Sequence, residues 1–240
     1  MSAKVSTTDR VHSLLREEII TGSLAGGSLH SIYEMAERLG VSRTPVRDAV
    51  LRLADAGMVT IERNRGVRIR GLSVQDIREV FEARLLLEVP AAAHAARHGS
   101  DELLQELGER VHGLTSAVED HDAVEFTRLD RQLHRAIVLS AGNQRLADLV
   151  ESLRDATQAH GVSTIDRSRS IREVQVEHLP IVDAIRRRDP DAAAALMREH
   201  LTTTGLLLMR QVAAATGEAA PDAWPSHLAP ESTGTRGTVE

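Results

Sequence analysis

Leu39-Gly40-Val41-Ser42-Arg43-Thr44-Pro45-Val46-Arg47-Asp48-Ala49-Val50-Leu51-Arg52-Leu53 decides how the chain is read. Ser42 is of the type that caps a helix, and Pro45 lies in the first turn, where a missing N–H does no harm. Val46, Ala49, Val50 and Leu53 recur at helical spacing and predict a buried stripe. Arg43 and Arg47, four apart, share a different face, with Thr44 beside them. A guanidinium fork grips guanine O6 and N7, or a phosphate, in bidentate fashion. Such groups on the first two turns are what a recognition helix presents to base edges. An ordinary amphipathic helix with solvated arginines would carry the same residues, so the flanking segments decide between the two.

Upstream, Val11, Leu14, Leu15, Ile19 and Ile20 give one helical stripe, ended by Gly22, Gly26 and Gly27. Ser31-Ile32-Tyr33-Glu34 is a capping box, and the helix it opens carries Ile32, Met35, Ala36 and Leu39 before Gly40 stops it. Helix, short turn and arginine-bearing helix make a helix-turn-helix. Downstream of Gly57 the period changes from 3.6 to 2. Val59 and Ile61 alternate with polar residues, Asn64-Arg65-Gly66 supplies a turn, and Val67 and Ile69 alternate again. This hairpin carries Arg63, Arg65, Arg68 and Arg70, so it reads as a wing whose tip reaches phosphates or the minor groove.

Gly22-Ser23-Leu24, Leu29, the run Ala36 to Arg47, Leu53 and Gly57-Met58-Val59 closely resemble the winged-helix domain of GntR-type bacterial transcription regulators. The resemblance implies DNA contacts from Arg43 and Arg47 of the Val-Ser-Arg-Thr-Pro-Val-Arg signature beginning Val41-Ser42, with Thr44 on the backbone and Gly66 at the wing tip; Ser42 of that signature and Arg65 of the basic hairpin are expected to join them. Tyr33 departs from the pattern, because some relatives carry a DNA-contacting basic residue there.

Gly71-Leu72 reads as a linker and Ser73 as the next cap. From there to about residue 215 only helical periods occur, with breaks near Gly99-Ser100, His121-Asp122, Ala141-Gly142, Gly161 and Asp189-Pro190. The expected fold is therefore mainly α. A winged helix-turn-helix spans 1–72, an antiparallel bundle of about six helices spans 73–215, and a Gly-, Pro-, Ser- and Thr-rich tail over 216–240 reads as disordered.

Four side chains in the bundle point to a metal. Asp130 and His134 flank the stripe Phe126, Leu129, Leu133 and Ile137. His178 sits in the apolar run Ile171, Val174, Ile181 and Ile185, on a helix that Pro180 is positioned to kink. His200 shares a stripe with Ala193, Leu196 and Leu207. A single inward histidine is ordinarily a satisfied core residue. Four uncompensated polar groups in one core are costly, whereas one ion satisfies them all. Three imidazoles and a carboxylate suit zinc, nickel, iron or manganese. Arg84 and Glu88 lie on the stripe of Ile77, Val80, Phe81 and Ala91, as a buried ion pair or part of a ligand pocket.

This half resembles FCD, the all-helical ligand-binding domain of one large GntR subfamily. Its metal-binding members use an Asp, a His four residues later and two His on the last two helices, which Asp130, His134, His178 and His200 match in order. Arg84 and Asn143 match positions lining the effector pocket of that domain. The resemblance spans about residues 8–212.

Charge agrees with a divided chain. Residues 1–72 carry 11 basic against 8 acidic side chains and the remainder 18 against 27, so a basic front joins an acidic body. Lys4 is the only lysine, which excludes a P-loop or Schiff-base lysine, and four aromatics are too few for a single-strand stacking platform. With no cysteine, no leader-like N-terminus and no apolar run near ~18 residues, a cytoplasmic location is expected, without membrane. The leading reading is a transcription regulator, taken as a repressor. It would bind a pseudo-palindromic double-stranded operator as a homodimer, and a small carboxylate effector at the metal would control it. The alternative, a metal-dependent enzyme fused to a DNA-binding domain, lacks His-Glu-x-x-His and a nucleophile elbow, and has only one Glu-x-x-His, Glu109 to His112.

Overall fold

A computed structural model of the chain describes residues 6–158, 162–165 and 167–224. Helix α1 (Thr7–Ile20) is followed by a two-residue strand β1 (Leu29–His30), then α2 (Ile32–Leu39) and α3 (Arg43–Asp55). Strands β2 (Val59–Glu62) and β3 (Gly66–Ile69) form the hairpin. The capping box forms as its residue types require. The Ser31 hydroxyl accepts from the Glu34 amide at 3.0 Å, and the Glu34 carboxylate accepts from the Ser31 amide at 3.1 Å. Val46, Ala49, Val50 and Leu53 are buried against Val11, Leu15, Met35, Val67 and Ile69, forming one hydrophobic cluster.

Two details differ from the sequence expectation here. Strand β1, two residues long and so too short to show a period in the sequence, completes an antiparallel sheet of order β1-β3-β2, with Leu29 opposite Arg68. Ile61 turns outward and is half exposed, so only Val59 of β2 enters the core.

Six helices follow among the described residues: α4 (Val74–His98), α5 (Asp101–Glu119), α6 (Ala123–Leu139), α7 (Gln144–Gln158), α8 (Ile171–Arg186) and α9 (Pro190–Thr216). Caps mark their starts as anticipated, Ser73 with Asp76 on α4 and Asp189 on α9 among them. The break expected near Gly161 falls outside the described residues. Helix α8 continues through Pro180, and α4 through Pro90. A second, separate cluster fills the bundle, with Phe81, Phe126, Leu133, Ile137, Ile181 and Ile185 among its most buried members. On α9 the apolar positions are Met197, Leu201 and Leu208, whereas Leu196 and Leu207 are only partly buried.

The tail expectation is corrected in part. Beyond α9, Gly217 adopts a left-handed conformation at φ 78° and the chain turns back on the bundle. Glu218 accepts a hydrogen bond from the Val74 amide at 3.2 Å, and Arg210 donates to the Asp222 carbonyl at 3.0 Å. Trp224 packs edge-on against Phe81 with ring centroids 6.4 Å apart. Gly205 makes room for it, since a Cβ there would lie 2.5 Å from the indole. Residues 217–224 have no period of their own in the sequence, yet one aromatic, Trp224, anchors them to α4 and α9. Residues 225–240 lie outside the described residues.

Candidate functional site

Three imidazoles converge from three helices. His134 on α6, His178 on α8 and His200 on α9 are all buried and each offers a ring nitrogen within 4.8 Å of the others. Their ring centroids are 4.7 to 5.5 Å apart. Asp130, one turn before His134, completes the group: its Oδ1 stands 3.1 Å from His178 Nε2 and 3.8 Å from His134 Nε2. The four residues expected to act together are thus brought together.

Neighbouring carboxylates decide which nitrogens face inward. Glu88 on α4 is fully buried and accepts from His134 Nδ1 at 2.6 Å, and on its other oxygen from Arg84 Nε at 2.6 Å. Burial opposes ionisation of Glu88, but Arg84 and His134 outweigh it and hold the carboxyl well below its usual range. An ionised carboxylate only accepts, so His134 Nδ1 carries the proton and Nε2 the lone pair. Glu177 does the same for His200, accepting from Nδ1 at 2.7 Å. His134 Nε2 and His178 Nδ1 are buried without a hydrogen bond, while His178 Nε2 faces Asp130 Oδ1 at 3.1 Å.

Electrostatics disfavour the charged form of His134 and His200 and favour that of Asp130. Burial pushes His134 down, partly offset by Glu88; burial together with the other two imidazoles pushes His200 well down. Asp130 is held far below the carboxylate norm: burial opposes this, but the Arg154 guanidinium on its Oδ2 prevails. Orphaned buried lone pairs are expensive, and neutral imidazoles with one carboxylate are a transition-metal donor set. The residues fit a divalent ion. Carboxylates on the outer nitrogens are the usual supports of metal-bound histidine.

Asp130 and His200 of the cluster line a cavity of about 330 Å³, together with Phe81, Arg84, Thr127, Arg154, Arg169 and Thr204. Arg84 is therefore placed both ways that its spacing allowed, in a buried pair with Glu88 and on the cavity. Asn143 is a correction. It is exposed, follows left-handed Gly142, and its Oδ1 accepts from the Leu146 amide at 3.2 Å, so its side chain caps α7 outside the cavity. Sequence reasoning missed Arg154, Arg169 and Glu177. Arg154 is 24 residues after Asp130 and Glu177 is 23 before His200, the side chains they hold, which no local period reports.

In the N-terminal half, Ser42, Arg43, Thr44 and Arg47 are all exposed on one end of α3. Ser42 sits at the N-cap without a side-chain cap hydrogen bond, which leaves its hydroxyl available. Tyr33, a departure from the family pattern, stacks under Arg43, its ring centroid 4.9 Å from the guanidinium carbon. On the wing, Arg65 is exposed and 3.3 Å from Glu62. Arg68 is a strut: it pairs with Glu62 and donates to the Gly27 carbonyl at 2.7 Å. Gly66 begins β3 at φ 133°, and a Cβ there would stand 2.4 Å from the His30 carbonyl oxygen, so it serves the approach of β1 to β3.

The model of the bacterial regulatory proteins of the gntR family matches residues 7–69, and that of the FCD domain matches residues 79–203. The chain belongs to the GntR family. It is a DNA-binding transcription regulator of the FCD-containing kind, which sets the metalloenzyme alternative aside. The GntR-family chain is 28% identical over 192 residues to the HTH-type transcriptional repressor RspR of Escherichia coli K12, covering 80% of this chain and 84% of that one. It is 29% identical over 157 residues to the gluconate operon transcriptional repressor of Bacillus licheniformis, covering 65% and 64%. In fold it is similar to Escherichia coli McbR/YncC, with a TM-score of 0.60 at 24% identity over 87% of this chain and 99% of that one. A GntR transcriptional regulator from Rhodococcus sp. RHA1 gives the same score and identity over 85% and 97%. No helix among the described residues is long and apolar enough to cross a membrane.

Proposed function

We propose that this regulator is a repressor whose operator affinity is set by a small carboxylate bound beside a divalent transition metal in the helical domain. One observation carries the reading: His134, His178 and His200 present ring nitrogens within 4.8 Å of one another, and His200 lines a cavity that Arg84 also lines. Asp130 and the three histidines would hold the ion, which supplies a Lewis-acidic point for a ligand oxygen. Zinc, nickel, iron and manganese all suit that donor set. Glu88 and Glu177 keep two imidazoles in the coordinating tautomer, and Arg84 offers its terminal nitrogens to the anion. Arg43 and Arg47 read bases, Ser42, Thr44 and Arg65 contact the backbone, and Gly66 shapes the wing. A homodimer in the cytoplasm places two such surfaces on a two-fold operator, so a shift in their spacing on effector binding changes affinity.

The test is elemental analysis of the wild type and His178→Ala together with operator binding. The wild type should carry about one transition-metal ion per chain. His178→Ala should lose most of it and the effector response, while its operator affinity without effector stays within about twofold of wild type. A wild type that remains metal-free after dialysis against zinc, nickel and manganese refutes the reading and leaves a polar core.

A further inference from the structure

Helix α3 opens on an exposed arginine that no acid holds. Arg43 is its first residue, at the positive end of the helix dipole, where a cation is disfavoured. Four other arginines of the N-terminal domain are tied to acids: Arg38 to Glu18, Arg52 to Asp9, and Arg65 and Arg68 to Glu62. Among the described residues the Arg43 guanidinium meets instead the ring of Tyr33, its carbon 4.9 Å from the centroid.

The fold places Tyr33 for this contact. Tyr33 is the second residue of α2, inside the capping box that Ser31 and Glu34 close, while Met35 and Ala36 turn into the core. Left-handed Gly40, at φ 62°, turns the chain between α2 and α3, and the first turns of the two helices meet at Tyr33 and Arg43. The tyrosine is more than half exposed, so core packing does not account for it.

A ring contact holds a guanidinium without spending any of its five N–H donors, whereas an ion pair occupies some of them. It also narrows the rotamers of a long side chain before binding, a cost otherwise met when the complex forms. Arg43 is thus held with its fork uncommitted, while Arg65 stands 3.3 Å from Glu62 and must leave it to reach DNA.

We propose that Tyr33 is a positioning residue for DNA specificity: its ring pre-orients Arg43 toward one base pair of the operator. The inference rests on the reading of Arg43 as a base contact. What the ring adds is sequence preference and not general affinity, because an uncharged side chain neutralises no phosphate.

The test uses the full chain and a duplex that the wild type recovers from a random-sequence pool. Its single-base-pair variants and a scrambled duplex of the same length complete the set, with binding read by fluorescence anisotropy at fixed salt. Tyr33→Ala should weaken the recovered duplex about 3–10-fold, the cost of ordering one arginine side chain, and the scrambled duplex by less than about twofold. The slope of affinity against salt should not change, since no charge is lost. Preference should relax at the same base pair in Tyr33→Ala as in Arg43→Ala, and Tyr33→Ala added to Arg43→Ala should have no further effect. Tyr33→Phe keeps the ring and should bind within about twofold of wild type, whereas Tyr33→Leu keeps bulk without a π face and should match Tyr33→Ala. Three results would each overturn the inference and leave the role of Arg43 standing: equal losses on both duplexes, Tyr33→Phe as weak as Tyr33→Ala, or a Tyr33→Leu effect that persists beside Arg43→Ala. An Arg43→Ala variant that binds the recovered duplex as wild type does removes the base-contact reading and the inference with it.

Discussion

Glu88→Gln is the most informative single change, because Glu88 is fully buried and holds Arg84 on one oxygen and His134 on the other. Glutamine keeps the shape but removes the charge. A buried guanidinium is left uncompensated, a defect that costs about 3–5 kcal/mol. For a chain of this size each kcal/mol moves Tm by about 2–4 °C, so a fall of roughly 6–20 °C is expected by calorimetry. His134 loses the acceptor that fixes its tautomer, and the loss of such a support weakens metal affinity by about 10–100-fold. The two effects have different causes and separate in a double variant. Glu88→Gln with Arg84→Leu has no orphaned cation and should recover much of the Tm, whereas its zinc affinity, read by competition with a chelating dye, should stay low. If Glu88→Gln binds zinc within twofold of wild type, Glu88 does not orient His134 and the support role is wrong. If the double variant melts no higher than the single one, the instability does not come from the stranded arginine.

Two further outcomes are expected. Arg47→Ala should cost about 1–3 kcal/mol of operator affinity and relax preference at one base pair, while Arg65→Ala weakens all sequences alike and flattens the salt dependence; unchanged binding by both at fixed salt removes the winged-helix reading. Metal-free protein should lose stability on acidification. His134 and His200 are held below 6.5, and Asp130 and Glu88 below their usual range. The unfolded chain therefore binds more protons than the folded one, first below about pH 6.5 through the histidines and again below about pH 4 through the carboxylates. A Tm that is level or rises from pH 8 to pH 5 contradicts this assignment of charge.

The elements and the faces they bury can be read along the chain alone. Caps such as Ser31, Ser73 and Asp189 and the 3.6-residue recurrence of Val46, Ala49, Val50 and Leu53 are local, because a helix is closed by hydrogen bonds four residues long. The inward set Asp130, His134, His178 and His200 was legible for the same reason: each interrupts or flanks an apolar stripe on its own helix. What the tertiary structure decided is which carboxylate meets which cation. Glu88 meets His134 across 46 residues, Arg154 meets Asp130 across 24, and Glu177 meets His200 across 23. These pairings arise from how α4, α6, α7, α8 and α9 pack, and helix packing leaves no period in the chain. Strand β1 and the Trp224 anchor escaped for the same reason, since two residues opposite β3 and one indole on Phe81 are defined by their partners. Asn143 is the converse case. Its place after Gly142 was plain, but only the packed bundle shows that its side chain serves the first turn of α7 and lies away from the cavity.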